Sequence, residues 1–278
     1  KAEIIQLLNS EPLVSHPDNA CISLYEILNI PNDDDHHILV MPFLRELESP
    51  PFETLGEVME FCRQALYGLR FLHRHNIAHG DPHSGNIMLD PTTMYPDGFY
   101  TGFPPYADLK SDFSGRARSF TRTQRPSRYY WIDYNLAHIL EHPEKPGTLR
   151  IPYTRGGDRD IPETTEGKTH ADPFASDVWW VGNVIQELID RYSGRSLLSP
   201  LVEYMCQKIP EDRPAMAAAT DCFDRILAQC SSWRLRRLTL RRKHQFGRFL
   251  QAFPRYIART VHYLVIAKPA LPRPDRMS

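Results

Sequence analysis

The stretch Ile77–Leu89, IAHGDPHSGNIML, decides how this chain is read. An apolar pair delivers His79, Asp81 and Asn86 onto a tight polar loop, and Ile87, Met88 and Leu89 return the chain to apolar surroundings. A second stretch, Tyr129–Ala137, YYWIDYNLA, is an aromatic, apolar run that ends on a single carboxylate, Asp133. A strand that carries one acid out of the core and then stops suits a metal ligand, because Mg²⁺ prefers hard oxygens at fixed distance. Together the two stretches supply what phosphoryl transfer requires: Asp81 to orient a hydroxyl, and Asn86 with Asp133 to hold Mg²⁺ on phosphates. The plainer reading of the first stretch is a turn whose Asp and Asn cap the backbone.

The 278 residues are 41% hydrophobic, enough to bury a sizeable core in one large or two smaller domains. Five widely spaced cysteines, Cys21, Cys62, Cys206, Cys222 and Cys230, contain no C-x-x-C pair. They point to reduced thiols in the cytoplasm, with the nucleus as the alternative, and against a disulfide frame or a zinc site. No apolar run reaches membrane-spanning length, and no signal peptide is expected. The net charge of −1 hides an asymmetry. From residue 232 onward there are 12 Lys and Arg against one acid, Asp275, so the tail carries +11 and the rest −12.

The spacing H-x-D-x-x-x-x-N, followed by an isolated I-D-aromatic, resembles the catalytic loop and metal-binding turn of the protein-kinase-like fold. Three fixed residues recur by chance on the order of once per 10,000 start positions, so the resemblance gains weight from further motifs in the same order downstream. Ile161-Pro162-Glu163 resembles the Ala-Pro-Glu that closes the activation segment. Asp177, Trp179 and Gly182 match the D-x-W-x-x-G of the helix at the centre of the large lobe, whose acid binds back to the catalytic-loop backbone. Arg213-Pro214 is similar to the arginine that pairs with the Ala-Pro-Glu glutamate, here Glu163.

The resemblance implies an α+β fold, an incomplete small β lobe followed by a mainly helical large lobe. Residues 1–44 would be the remnant of the small lobe and hinge, 45–231 the large lobe with 90–128 inserted, and 232–278 a basic extension. Within the small lobe, Glu3 would be the ion-pairing glutamate of the regulatory helix and Leu7 a residue of its core face. His16–Leu28 and His36–Leu44 would be two strands joined by the turn PNDDDHH. Met41, Phe43, Leu44 and Met88 would line the nucleotide pocket, with ATP and Mg²⁺ as cofactors. Asp81, His79 and Asn86 would be catalytic and Asn86 and Asp133 metal ligands, with Glu163, Asp177 and Arg213 structural.

Leu55–His75 is the clearest helix. Val58, Phe61, Cys62, Ala65, Leu66, Leu69 and Leu72 form an apolar stripe, with Thr54 or Glu53 as the cap. Residues 200–208 and 216–229 are expected as two further helices. Asp133 follows Asn86 by 47 positions, where about a dozen are usual in kinases, so a long loop is expected beside the site. Its segment RARSFTRTQRPSR carries five arginines and reads as a solvated basic loop, or as a clamp for phosphate or an acidic partner. Asn135 stands where kinases have glycine and is expected to take a positive φ. The tail mixes arginine with apolar residues. Packing on the acidic body is favoured over a membrane surface or nucleic acid, with the final KPALPRPDRMS disordered.

Some features depart from the kinase pattern. The Gly-rich strand pair and strand lysine do not precede the first helix, so the expectation is a truncated small lobe or a lost N-terminus. Gly80 replaces the arginine usual before Asp81, and His83 stands where Ser/Thr kinases place a lysine. HGDPHSGN is similar to the loop of aminoglycoside and choline phosphotransferases and of atypical ubiquinone-biosynthesis kinases. MPFLR, PPFET and TRTQRPSRYY resemble a kinase-domain family abundant in mushroom-forming fungi. The function implied is ATP/Mg²⁺ binding and, with the missing lobe supplied, transfer of the γ-phosphate to Ser or Thr of a protein. The alternatives are a pseudokinase that binds or scaffolds without turnover, and a small-molecule phosphotransferase.

Overall fold

The polypeptide is arranged around α2 (Leu55–Arg74). Thr54 Oγ1 accepts the Glu57 N–H at 3.2 Å, and Glu57 Oε2 reaches back to the Glu53 N–H at 2.7 Å. These bonds satisfy donors that a helix start otherwise leaves unpaired. All seven residues of the apolar stripe are buried. Each such side chain contributes roughly 1.5–3 kcal/mol of transfer free energy. From Leu55 to Cys62 no residue of α2 is exposed, because neighbours enclose the helix on several sides.

The structure, a computed structural model, describes residues 2–100, 109–110, 112–140, 149–152, 161–192, 196–239 and 245–275. Lys1, residues 101–108 and 111 of the long loop, and 240–244 of the basic tail lie outside the described residues. Besides α2, the helices are α1 (Ala2–Leu8), α3 (Pro162–Thr165), α4 (Pro173–Arg191), α5 (Ser199–Met205), α6 (Met216–Ala228), α7 (Ser232–Leu235) and α8 (Gln245–Val265). The strands are short: β1 (Glu26–Ile30), β2 (Asp33–Val40), β3 (Arg45–Glu46), β4 (Ile77–Ala78), β5 (Ile87–Leu89), β6 (Tyr129–Trp131), β7 (His138–Ile139), β8 (Ile151–Pro152) and β9 (His170–Ala171). They pair antiparallel as β1-β2, β3-β5-β6, β4-β7 and β8-β9. The class is mixed α+β. Helices α4, α6 and α7 and strands β4 and β6 all touch α2, and α5 lies against α4 and α6. Among the described residues no helix is long and apolar enough to cross a membrane.

Several expectations need correction. β1 begins at Glu26, ten residues later than His16, because Asn9 and Asn19 hold the intervening chain as a loop. The Asn19 amide donates to Leu8 O and Leu13 O at 2.8 and 2.9 Å, and that of Asn9 donates to Ile22 O at 3.1 Å. The hairpin turn shortens to Pro31-Asn32, since Asn32 adopts φ 63° and lets Asp33–His37 join β2. In α1 the buried face is Ile4, Ile5 and Leu8, whereas Leu7 is 40% exposed.

The arginine-rich loop is not a solvated one at its centre. Arg122 is buried, donating to Leu47 O at 2.8 Å, Pro50 O at 2.7 Å and Tyr129 Oη at 2.7 Å. Its guanidinium lies 4.5 Å from the Phe52 ring centroid. Next to it, Thr123 donates through N–H and Oγ1 to Glu57 Oε1 at 3.0 and 2.9 Å. The long loop is thus fastened to the capped start of α2.

The tail docks at the same place, mainly through its backbone. Leu55 N–H donates to Arg237 O and Thr239 N–H to Glu53 O, both at 2.9 Å. Arg259 pairs with Glu53 at 2.5 Å. Burial and the neighbouring Glu57 carboxylate push the Glu53 carboxyl up, and Arg259 opposes them. Of the final segment expected to be disordered, residues 276–278 lie outside the described residues, and 268–275 pack as well. Ala270 is buried, its carbonyl so close to Gly56 that a Cβ there would stand 2.0 Å from the oxygen, and Arg128 donates to Asp275 O at 3.1 Å.

Arg122→Ala leaves three carbonyl or hydroxyl acceptors without their donor in the interior. It is expected to cost about 3 kcal/mol or more, a fall in Tm on the order of 8 °C for a chain of this size. Thermal unfolding followed by circular dichroism checks this. A variant that melts with the parent would mean the loop is not anchored through this guanidinium.

Candidate functional site

Two strand pairs frame the site. β4 pairs with β7 (Ala78↔His138), and β5 with β6 (Ile87↔Trp131). The loop from His79 to Asn86 therefore leaves one pair and enters the other. Because β5 and β6 are antiparallel, Asn86, just before Ile87, and Asp133, two past Trp131, fall at the same end. The Ile132 N–H donates to Asn86 O at 3.0 Å and fastens the two segments there.

Asp177, wholly buried on α4, fixes the start of the loop. Its Oδ2 accepts the His79 N–H at 2.8 Å and its Oδ1 the Gly80 N–H at 2.9 Å. His73, in the last turn of α2, stands 2.9 Å from Oδ2 through Nε2. One carboxylate thus ties α2, α4 and the loop, with charge-assisted hydrogen bonds of the stronger kind. His73 has no part among the residues expected from the sequence; its one signal there is a polar ring in the final helical turn before the loop.

Gly80 has φ 78°, and a Cβ there would lie 2.1 Å from Leu136 O. No side chain fits, which accounts physically for the absence of an arginine before Asp81.

His79 has no exposed surface. Its Nε2 donates to Ile132 O at 3.2 Å and its Nδ1 accepts the Asp81 N–H at 3.3 Å, an arrangement that requires the neutral ring. The ring packs on Trp131 and Tyr134, with centroids 5.2 and 5.0 Å away. Burial pushes its pKa down, against the opposing pull of the Asp177 and Asp81 carboxylates. A group enclosed in this way holds the loop in position.

Asp81 is largely covered but reaches solvent, with 14% of its side chain exposed. Asn86 Nδ2 donates to Asp81 O at 3.0 Å and to Asp81 Oδ2 at 3.1 Å. That commits the amide nitrogen and leaves Asn86 Oδ1 as the oxygen available to a cation. His83 accepts the Gly85 N–H through Nδ1 at 3.0 Å, and its Nε2 stands 3.5 Å from Asp81 Oδ2.

Asp133 is exposed and left-handed, with φ 59° and ψ 70°. The positive φ falls on the acid itself and not on Asn135, which lies within a 3-10 turn over Tyr134–Leu136 and donates its N–H to Asp133 Oδ1 at 3.2 Å. A non-glycine residue in this region is uncommon. Here it turns the carboxylate out of the strand at the point where Asn86 ends its loop.

The remaining sites divide. Glu163 and Arg213 meet in a buried bidentate pair at 3.0 and 2.6 Å, and Arg213 also donates to Gln207 O at 2.8 Å and Ala175 O at 3.2 Å. α1 packs against the turn that follows Asp133, with Glu3 on its exposed side. Leu44 is buried, while Met41 and Phe43 are 39% and 69% exposed. Met88 pairs with Glu46 in β3 and Tyr130 in β6. A cavity of about 260 Å³ opens elsewhere, between α2, α4 and the start of α6, and meets the site only through His73. Among the described residues no three His, Cys, Asp or Glu side chains cluster as a metal site. No protein-family model matches the chain, and no curated protein does.

The depressed pKa of His79 sets a pH dependence. The unfolded ring binds a proton below about 6.5 while the folded ring resists it, so stability falls as the pH drops through that value towards the folded pKa. His79→Gln should flatten the part of the stability–pH profile just below 6.5. Urea unfolding of both proteins across this range measures it. Parallel profiles would mean that His79 titrates freely in the folded chain.

Proposed function

We propose that this chain is a protein-kinase-like domain that binds ATP through Mg²⁺. The observation that carries the reading is the Asp177 carboxylate bound to the His79 and Gly80 amides. It fixes a loop presenting Asp81 and Asn86 beside the outward-turned Asp133. The buried Glu163–Arg213 pair and the mixed α+β class support it.

The donor set fits the ion. Asn86 Oδ1 and the Asp133 carboxylate are hard oxygens from two fastened segments, and the phosphates of the nucleotide would supply further oxygens. Asp81, held by Asn86 and standing near His83, is placed to orient a hydroxyl. Leu44 and Met88, with Met41 and Phe43 at the surface, are the candidates for contact with the base. The Gly-rich strand pair and lysine of complete kinases are not among these 278 residues. Transfer of the γ-phosphate to Ser or Thr of a protein is part of the reading where these are supplied, and a pseudokinase that binds without turnover is its alternative. Gly80, which leaves no room for a kinase arginine, favours a small-molecule phosphotransferase as the second reading.

Calorimetric titration with ATP, with and without Mg²⁺, tests the assignment. Binding should require the metal, and Asp133→Ala, which removes a ligand, should lower affinity by more than about 100-fold, beyond the range typical of losing a metal ligand's outer-shell partner. Asp81→Asn should change binding little. Binding that ignores the metal, or none with any divalent ion, would remove the nucleotide site.

A further inference from the structure

Helix α8 has two unlike sides. Towards the body, Tyr256 Oη donates to Arg236 O at 2.7 Å, Arg259 pairs with Glu53, and Tyr263 is buried. Away from it, at four- and three-residue steps, Ile257, Val261 and Leu264 are 44–55% exposed, and Val265 and Ile266 at the end of the helix are 79% and 52% exposed. Single exposed apolar residues are ordinary on a soluble surface, whereas a continuous row marks something that binds there.

The charge of the region narrows what that is. No Asp or Glu occurs from residue 232 to 274. Arg255, on the same helix, is exposed, and so are Arg234 and Arg237 around α7, which α8 touches through Tyr256. On α7 Trp233 is 69% exposed. An apolar row on a segment that also carries exposed arginines and an exposed indole, and no carboxylate, has the composition of helices that lie flat in the headgroup region of a bilayer. Apolar side chains enter the acyl boundary, arginines meet lipid phosphates and indoles sit at the interface. Among the described residues, α8 included, no helix is long and apolar enough to cross a membrane. A second copy of the chain fits worse, because two such helices would bring like charges together with no acid to offset them. The acidic remainder of the chain would also turn the basic edge towards an anionic surface.

We propose that α8, with α7, is a binding surface for anionic lipid, docked on the body along one edge and inserted along the other. Vesicle co-sedimentation of the full chain tests it, using phosphatidylcholine with and without phosphatidylserine. Anionic vesicles should bind on the order of tenfold more tightly or better, and added salt should weaken them. Ile257→Glu with Val261→Glu should abolish binding and leave Tm unchanged, since both side chains already face water. Equal binding to neutral vesicles, no binding to anionic ones, or undiminished binding by the double variant would overturn the proposal. A loss of Tm in the double variant would mean that the face is covered within the chain, which also overturns it. A lipid-free dimer in light scattering that the double variant dissolves would assign the face to a second copy instead.

Discussion

The arrangement around the site depends on one buried carboxylate. Asp177 lies on α4 with no exposure and accepts two consecutive backbone N–H groups, those of His79 and Gly80, while His73 approaches from α2. A carboxylate removed from water is costly unless its oxygens are met, and these partners meet them. They also set geometry. Two successive amides aimed at one carboxylate fix the peptide plane between them, and Gly80 must then turn at φ 78° under Leu136. The loop has little freedom left before it reaches Asp81. His79 continues the constraint, with Nδ1 on the Asp81 amide and Nε2 on Ile132, the residue before Asp133. From Asp177 to Asp133, each step is a backbone hydrogen bond to a buried polar side chain.

A second polar junction holds the start of α2. Glu57 caps the helix through Glu53 and receives Thr123 of the long loop, and Arg122 beside it bridges Leu47, Pro50 and Tyr129. Burial pushes the Tyr129 hydroxyl up, so it remains a neutral acceptor for Arg122. The tail joins at Glu53 and Leu55. Both ends of α2 are therefore tied by charged groups to segments distant in sequence, while its middle is packed by apolar side chains.

These differences in physics decide what could be read from the sequence. The stripe of α2, the N-cap at Thr54 and the pairing of Glu163 with Arg213 depend on local periodicity or on motif order, and they were legible. The contact of Asp177 with the loop was expected from the motif, but His73 was not, because nothing in a helix-end histidine specifies its partner. Arg122 was read as solvated since its neighbours in sequence are polar; its burial is decided by carbonyls more than 70 positions away. Leu7 was misplaced because a seven-residue helix offers two nearly equal apolar faces, and packing selects Ile4, Ile5 and Leu8. The last residues looked disordered by composition, yet Gly56 admits the Ala270 backbone, a fit that composition does not carry.

Amide hydrogen exchange in the parent and in Asp177→Asn tests the central claim most directly. In the parent, the amides of His79 and Gly80 should be protected to the level of the middle of α2. The variant keeps the shape of the side chain but loses its charge and one acceptor. Exchange at His79 and Gly80 should then quicken by about 10- to 100-fold, the equivalent of a charge-assisted hydrogen bond of about 1.5–3 kcal/mol. Protection from Val58 to Leu69 should remain. Unchanged protection at His79 and Gly80, or a loss spread equally over α2, would contradict the account.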